Sequence, residues 1–185
     1  VSEFARPFAL DALRERPVRH TVTAAAEERA ALAKRFDVLA IDRLEAKLVL
    51  QRVRAGRAVR VEGRIAADLQ QACVVSLQPV AQRVVEKFSV LFVPPEDLKP
   101  IPVDADGEID VAAIAAEDEL EESLPDGPLD LGELVAQEFA VTIDPYPRAS
   151  GAQFQPQWGD IGAVAAAEGK IKPFADLKAK LAKEK

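Results

Sequence analysis

Between Leu44 and Val93 the apolar and polar positions alternate with a period of two, the spacing at which side chains point to opposite faces of a pleated strand. In AVRVEGRIA, Val59, Val61 and Ile65 fall on one side and Arg60, Glu62 and Arg64 on the other, which predicts a strand with one buried and one wet face. Ala55-Gly56, between LVLQRVR and AVRVEGRI, predicts a hairpin turn, because glycine tolerates the positive φ of tight turns. LQQACVVSL and VVEKFSVLFV read as two further strands, with Pro79 at the boundary between them. Consecutive strands with short links imply antiparallel pairing.

The flanks follow other patterns. Residues 4–10 and VRHTVT (18–23) read as short strands separated by the polar ALRERP. Thr23 is placed to cap a helix over AAAEERAALAKRFDV, with Glu27 and Glu28 at its positive end, Lys34 and Arg35 at its negative end, and Leu32 and Phe36 facing the core. In PLDLGELVAQEFAV, Asp130 and Glu133 have the spacing of a capping box, and Leu129 and Leu134 hold the positions of a hydrophobic staple. That helix should end before DPYPR, where Pro145 and Pro147 withhold donors. Residues 149–172, rich in Gly, Ala and Gln, predict a flexible arm, and KPFADLKAKLAKEK (173–185) a short amphipathic helix opened by Pro173.

The expected architecture is therefore a single α+β domain over residues 1–148. Its antiparallel sheet should have about five to seven strands, open or curled towards a barrel, packed with roughly two or three helices. Aromatic residues make up only 5% of the 185, so the core should be aliphatic and modest. No run approaches the ~20 apolar residues of a membrane-spanning helix, and VSEFARPFAL has no signal-peptide character. With one cysteine, Cys73, an internal disulfide is ruled out, and a cytoplasmic setting without a membrane partner is expected.

Charge sharpens the picture once it is divided along the chain. Residues 101–130 hold 11 Asp and Glu and no Lys or Arg, so against the whole chain's −7 the remainder carries +4. Like charges repel and little apolar surface is available there, which predicts an acidic flexible insertion over about residues 95–125. The basic residues Arg52, Arg54, Arg57, Arg60 and Arg64 gather on one predicted hairpin. Alternation places Arg52 with Arg54 and Arg60 with Arg64, and guanidinium forks match phosphate oxygens, so these five are the candidates for RNA contact. No aromatics are interleaved, so stacking on single-stranded bases is not expected.

Catalytic and ligand motifs are thin. The one histidine, His20, lies in an early strand among threonines at an expected surface position, not beside a nucleophile. Gly56 and Gly63 form no dinucleotide fingerprint, and no phosphate-binding loop motif occurs. DADGEID puts Gly107 directly after the second acid instead of at the sixth place of a calcium loop. Glu117, Asp118, Glu119, Glu121 and Glu122 read as a solvated run. No catalytic residue, cofactor or metal is expected.

Several segments together resemble the YceD family, in particular its alphaproteobacterial type: QQACVVSLQPV followed by VVEKFSVLF, then PDGPLDLGELVAQEFAVTIDPYPR, and KPFADLKAKL at the end. The specific parts are Cys73, then Asp126, Gly127, Asp130, Leu131, Gly132 and Glu133 at the helix start, and Pro145, Tyr146, Pro147 and Arg148 after it. The resemblance implies a non-enzymatic role in large-subunit ribosomal RNA accumulation or ribosome assembly. Many members carry C-x-x-C where this chain has Cys73 and Ser76, so a four-ligand zinc site does not carry over, and Cys73 is expected as a small buried apolar residue. The implied partner is ribosomal RNA or a large-subunit assembly intermediate, not DNA. Two mechanisms fit: RNA contact through the arginine hairpin, or an adaptor or holdase whose acidic segment engages a basic ribosomal protein.

Overall fold

The computed structural model describes residues 2–14, 16–104, 106–115 and 120–153; the predicted arm from residue 154 onward and the C-terminal helix lie outside the described residues. Two short elements open the chain, β1 (Pro7–Phe8) and β2 (Val18–Thr23), followed by helix α1 (Ala26–Arg35). Three long strands come next: β3 (Ala40–Val53), β4 (Ala58–Ala72) and β5 (Pro79–Val93). Helix α2 (Val111–Ala115), β6 (Leu120–Ser123), β7 (Leu129–Asp130) and helix α3 (Leu131–Thr142) complete the order.

The main sheet runs β2-β3-β4-β5-β6, and β1 pairs with β7 as a separate ribbon. This is an α+β fold whose sheet stays open instead of closing into a barrel. The predicted third strand does not stand alone, since LQQA is the end of β4. Small Ala66 and Ala67 keep the alternation through Leu69 and Gln71, and no turn-forming residue interrupts it. Nor is the sheet wholly antiparallel. β6 lies parallel to Val90–Val93 of β5, because the chain crosses over through residues 94–119 before returning in the same direction. The segment expected to be a flexible insertion thus supplies the edge strand.

One face of the sheet packs on α1, α3 and the N-terminal segment. Leu44, Ala46, Leu48 and Leu50 of β3, with Val59, Val61, Ile65, Ala67 and Leu69 of β4, meet Phe4, Leu32, Leu131, Val135 and Phe139 in the core. Gly63 takes part without a side chain: the ring of Phe88, directly opposite on β5, occupies the space a Cβ would need. Phe36 closes the core edge-on against Phe139, with ring centroids 5.8 Å apart. A smaller cluster, Ala58, Leu91 and Val93 with Val53, sits on the opposite face near the hairpin. Away from it, that opposite face is open to solvent.

Helix starts depart from expectation in one case and agree in the other. Thr23 remains in β2, and α1 is capped instead by the Glu28 carboxylate accepting the Ala25 N–H at 2.7 Å. At α3, Asp130 Oδ1 accepts the N–H groups of Gly132 and Glu133, as its capping spacing predicts. Glu133 turns away to other partners, described below.

Candidate nucleic-acid interface

The β3–β4 hairpin is built by a turn in which Arg54, Ala55 and Gly56 all take positive φ, at 51°, 57° and 88°. Its five arginines are not equivalent. Arg52 belongs to the covered face, where its guanidinium donates to the carbonyls of Leu10, Leu13 and Gly56 at 2.8–2.9 Å. Arg54 sits in the turn, so the expected shared face with Arg52 does not arise; its guanidinium pairs with Glu121 on β6. Arg57 pairs with Asp97 at 2.7 Å, with Glu96 at 4.0 Å. Only Arg60 and Arg64 lie on the solvent-facing side of the sheet, together as the alternation predicts.

The acids that engage Arg54 and Arg57 were invisible as neighbours in the sequence, because they return through the crossover. Glu121 is nearly covered, its Oε1 also 3.8 Å from Lys99 Nζ, and the Arg54 hydrogen bond holds its carboxyl below the usual range. Glu122 lies behind it, where burial raises its carboxyl; the same burial, together with the Glu122 charge, raises Glu138 on α3. Asp104 is spent on its own turn, accepting the N–H groups of Asp106 and Glu108 at 2.9 and 3.0 Å.

Two lysines escaped sequence reasoning. Register places Lys47 of β3 and Lys87 of β5 directly opposite Arg64 of β4, one on each side. All three are exposed on the same face. Period-two alternation assigns a side but not a partner strand, so only the pairing register could assemble this row.

The signature residues around α3 hold the fold together. Asp130 Oδ1 also accepts the Arg6 N–H, and Leu131 N–H donates to the Arg6 carbonyl, so the N-terminal segment is stitched to the helix start. A Cβ at Gly132 would lie 1.6 Å from the Phe4 carbonyl oxygen, a space only glycine leaves free. Glu133 takes both guanidinium prongs of Arg35 at 2.6 and 2.9 Å, and the Ser2 hydroxyl at 2.8 Å. Asp126 and Gly127 stand exposed in the preceding loop.

The second signature cluster wraps the β4–β5 turn. Pro147 accepts the Val74 N–H, and Gln71 donates to the Asp144 carbonyl. Pro145 and exposed Tyr146 lead into this latch, and Arg148 leads out of it. Cys73 is buried as expected, but its sulfur is an acceptor as well as a filler. The Ala149, Ser76 and Val75 N–H groups point at Sγ from 3.3–3.4 Å, and the Ala149 donor first, then the Ser76 hydroxyl and the other two N–H groups, bring the thiol down to about 6. His20 is exposed on β2, edge-on to Phe8. Among the described residues no group of three or more His, Cys, Asp or Glu is arranged to hold a metal ion. No helix there is long and apolar enough to cross a membrane.

A protein-family profile described as large ribosomal RNA subunit accumulation protein YceD matches residues 61–180. Neither curated proteins nor solved structures gave a match.

Proposed function

We infer a role in ribosome production from the premise that the chain belongs to the YceD family, described as large ribosomal RNA subunit accumulation proteins. In this reading the protein is a non-enzymatic factor that supports large-subunit RNA accumulation by binding, and the RNA itself is the partner. One observation carries it: the open face of β3–β5 is exposed, and its carboxylates are largely committed while Lys47, Arg64 and Lys87 stand exposed without a partner among the described residues. Glu45 is held by Arg43 at 3.0 Å, Asp68 by Arg83 at 2.7 Å and Asp42 by Gln70 at 3.0 Å. Arg64 carries the hairpin's contribution to this face, with Arg60 on the same side, and phosphate is the ligand that guanidinium chemistry suits best. Arg52, Arg54 and Arg57 shape the end of the sheet instead.

A second reading, engagement of a basic ribosomal protein by the acidic segment, is favoured by a different observation. Ile101, Val103, Ile109 and Val111 are 58–71% exposed and interleaved with Asp104, Asp106, Glu108 and Asp110. Complementation separates the two. In cells lacking the protein, an R60E/R64E variant should fail to restore large-subunit ribosomal RNA relative to small-subunit RNA, whereas the intact chain restores it. Full restoration by R60E/R64E together with failure of a chain lacking residues 101–114 would transfer the function to the acidic segment.

A further inference from the structure

We propose that Lys47, Arg64 and Lys87 form one binding site for the sugar-phosphate backbone of RNA, which lies across the strands instead of along them. The proposal rests on the RNA reading above and adds the site and its mode. Register puts the three cations at directly opposite positions of three neighbouring strands. Adjacent strands lie about 4.8 Å apart, so the three Cα positions span roughly 10 Å. Like charges placed directly opposite one another destabilise a sheet. Here that repulsion occurs twice in a single row, on a face where Arg43 and Arg83 are each matched by a carboxylate.

None of the three makes an ion pair or hydrogen bond to another described residue, whereas Arg43 and Arg83, at the far end of the same face, are paired. The remaining carboxylate of β3–β5 on this face, Glu62, belongs to the adjacent row opposite Val49 and Ser89. Thr21 of β2 extends the cationic row opposite Lys47 with a hydroxyl, another group suited to a phosphate oxygen. An anionic strand lying along the row would relieve both repulsions at once. No aromatic side chain stands on the β3–β5 part of this face, so the backbone is gripped and the bases are not stacked. Binding should therefore be largely indifferent to sequence and strongly dependent on salt.

The test measures binding of the full chain to a fragment of large-subunit ribosomal RNA across a salt series. K47Q/R64Q/K87Q is compared with R14Q/R16Q/K34Q, which removes the same charge from exposed residues elsewhere. Each phosphate contact adds about 0.7–0.9 to the slope of log affinity against log salt, so the row variant should lose about 2–3 from that slope and the control little. Because its substitutions remove repulsion, the row variant should melt no lower than the intact chain, which excludes misfolding as the cause. Equal losses in both variants would overturn the row in favour of diffuse charge. An unchanged slope in the row variant, with the intact chain binding well, would overturn the row and leave the RNA reading standing. No RNA binding by the intact chain would overturn both. Row-dependent binding to anionic lipid vesicles without binding to RNA would overturn the occupant.

Discussion

Arg54, at the tip of the β3–β4 hairpin, pairs with Glu121 on the parallel edge strand β6, so the chain's basic hairpin and its acidic segment neutralise one another at this point. Glu121 is almost covered and its Oε2 has no hydrogen-bond partner, so the carboxylate depends on the cations beside Oε1. An E121Q substitution should loosen β6 and release Arg54 towards solvent. The expected outcome is a lower melting temperature at neutral pH together with a salt slope for RNA binding steeper by about 0.7–0.9, one added contact. Unfolding curves and the RNA salt series, run on the same variant, check both. Because the Glu121 carboxyl is lowered in the fold, its stabilisation is present above the ordinary carboxylate range and is lost as pH falls through its folded value.

Acid should also attack the clamp between α1 and α3. Arg35, with smaller help from Ser2, holds the Glu133 carboxyl down to about 2. A depressed carboxyl contributes its stability above about pH 4.3 and loses it progressively down to about pH 2. After screening of a pair that is partly exposed, the contribution should be about 1–2 kcal/mol. E133Q should remove that amount at pH 7 and flatten the pH dependence of stability between about 5 and 2, measured by denaturant unfolding.

Gly132 offers a steric test. A G132A methyl would collide with the Phe4 carbonyl, and neither backbone can retreat without breaking the bonds between residues 6 and 130–131. The expected loss is about 3 kcal/mol, at the upper end for an overpacked site. Amide exchange should show it first at the N-terminal segment, which this contact pins.

Cys73 should make stability depend on pH in the opposite range. Its thiol is lowered to about 6 by the Ala149 N–H first, then by the Ser76 hydroxyl and the N–H groups of Ser76 and Val75, so the fold gains stability from the thiolate as pH rises from about 6 to about 8.5 and keeps it above that. C73A should abolish this rise and leave the donors of Val75, Ser76 and Ala149 without an acceptor. Thiolate absorbance in the folded protein, titrated from pH 5 to 9, reads the midpoint directly.

The periodic strands and the Asp130 cap were legible from local sequence because both are written in nearest-neighbour chemistry. Val59, Val61 and Ile65 announce their buried face, and Arg60 and Arg64 the opposite one. What local pattern lacked was pairing. Residues 101–130 read as an acidic run, but Glu121 becomes part of a strand because Val90–Val93 of β5 offers an edge and Arg54 and Lys99 offer charge. Arg52 reads as one of five equivalent arginines until the carbonyls of Leu10 and Leu13, some forty residues earlier, claim its guanidinium. The row at Arg64 depends on two registers at once, and no feature near Lys47 or Lys87 in sequence points to it.

The central claim, that the open face of β3–β5 meets RNA, is tested most directly by following backbone amide signals of the full chain by nuclear magnetic resonance while a large-subunit RNA fragment is added. The account predicts the largest shifts at Lys47, Arg64 and Lys87 and their neighbours on that face, with residues 101–114 unmoved. Shifts confined to residues 101–114, or no shifts at any RNA concentration, would contradict it.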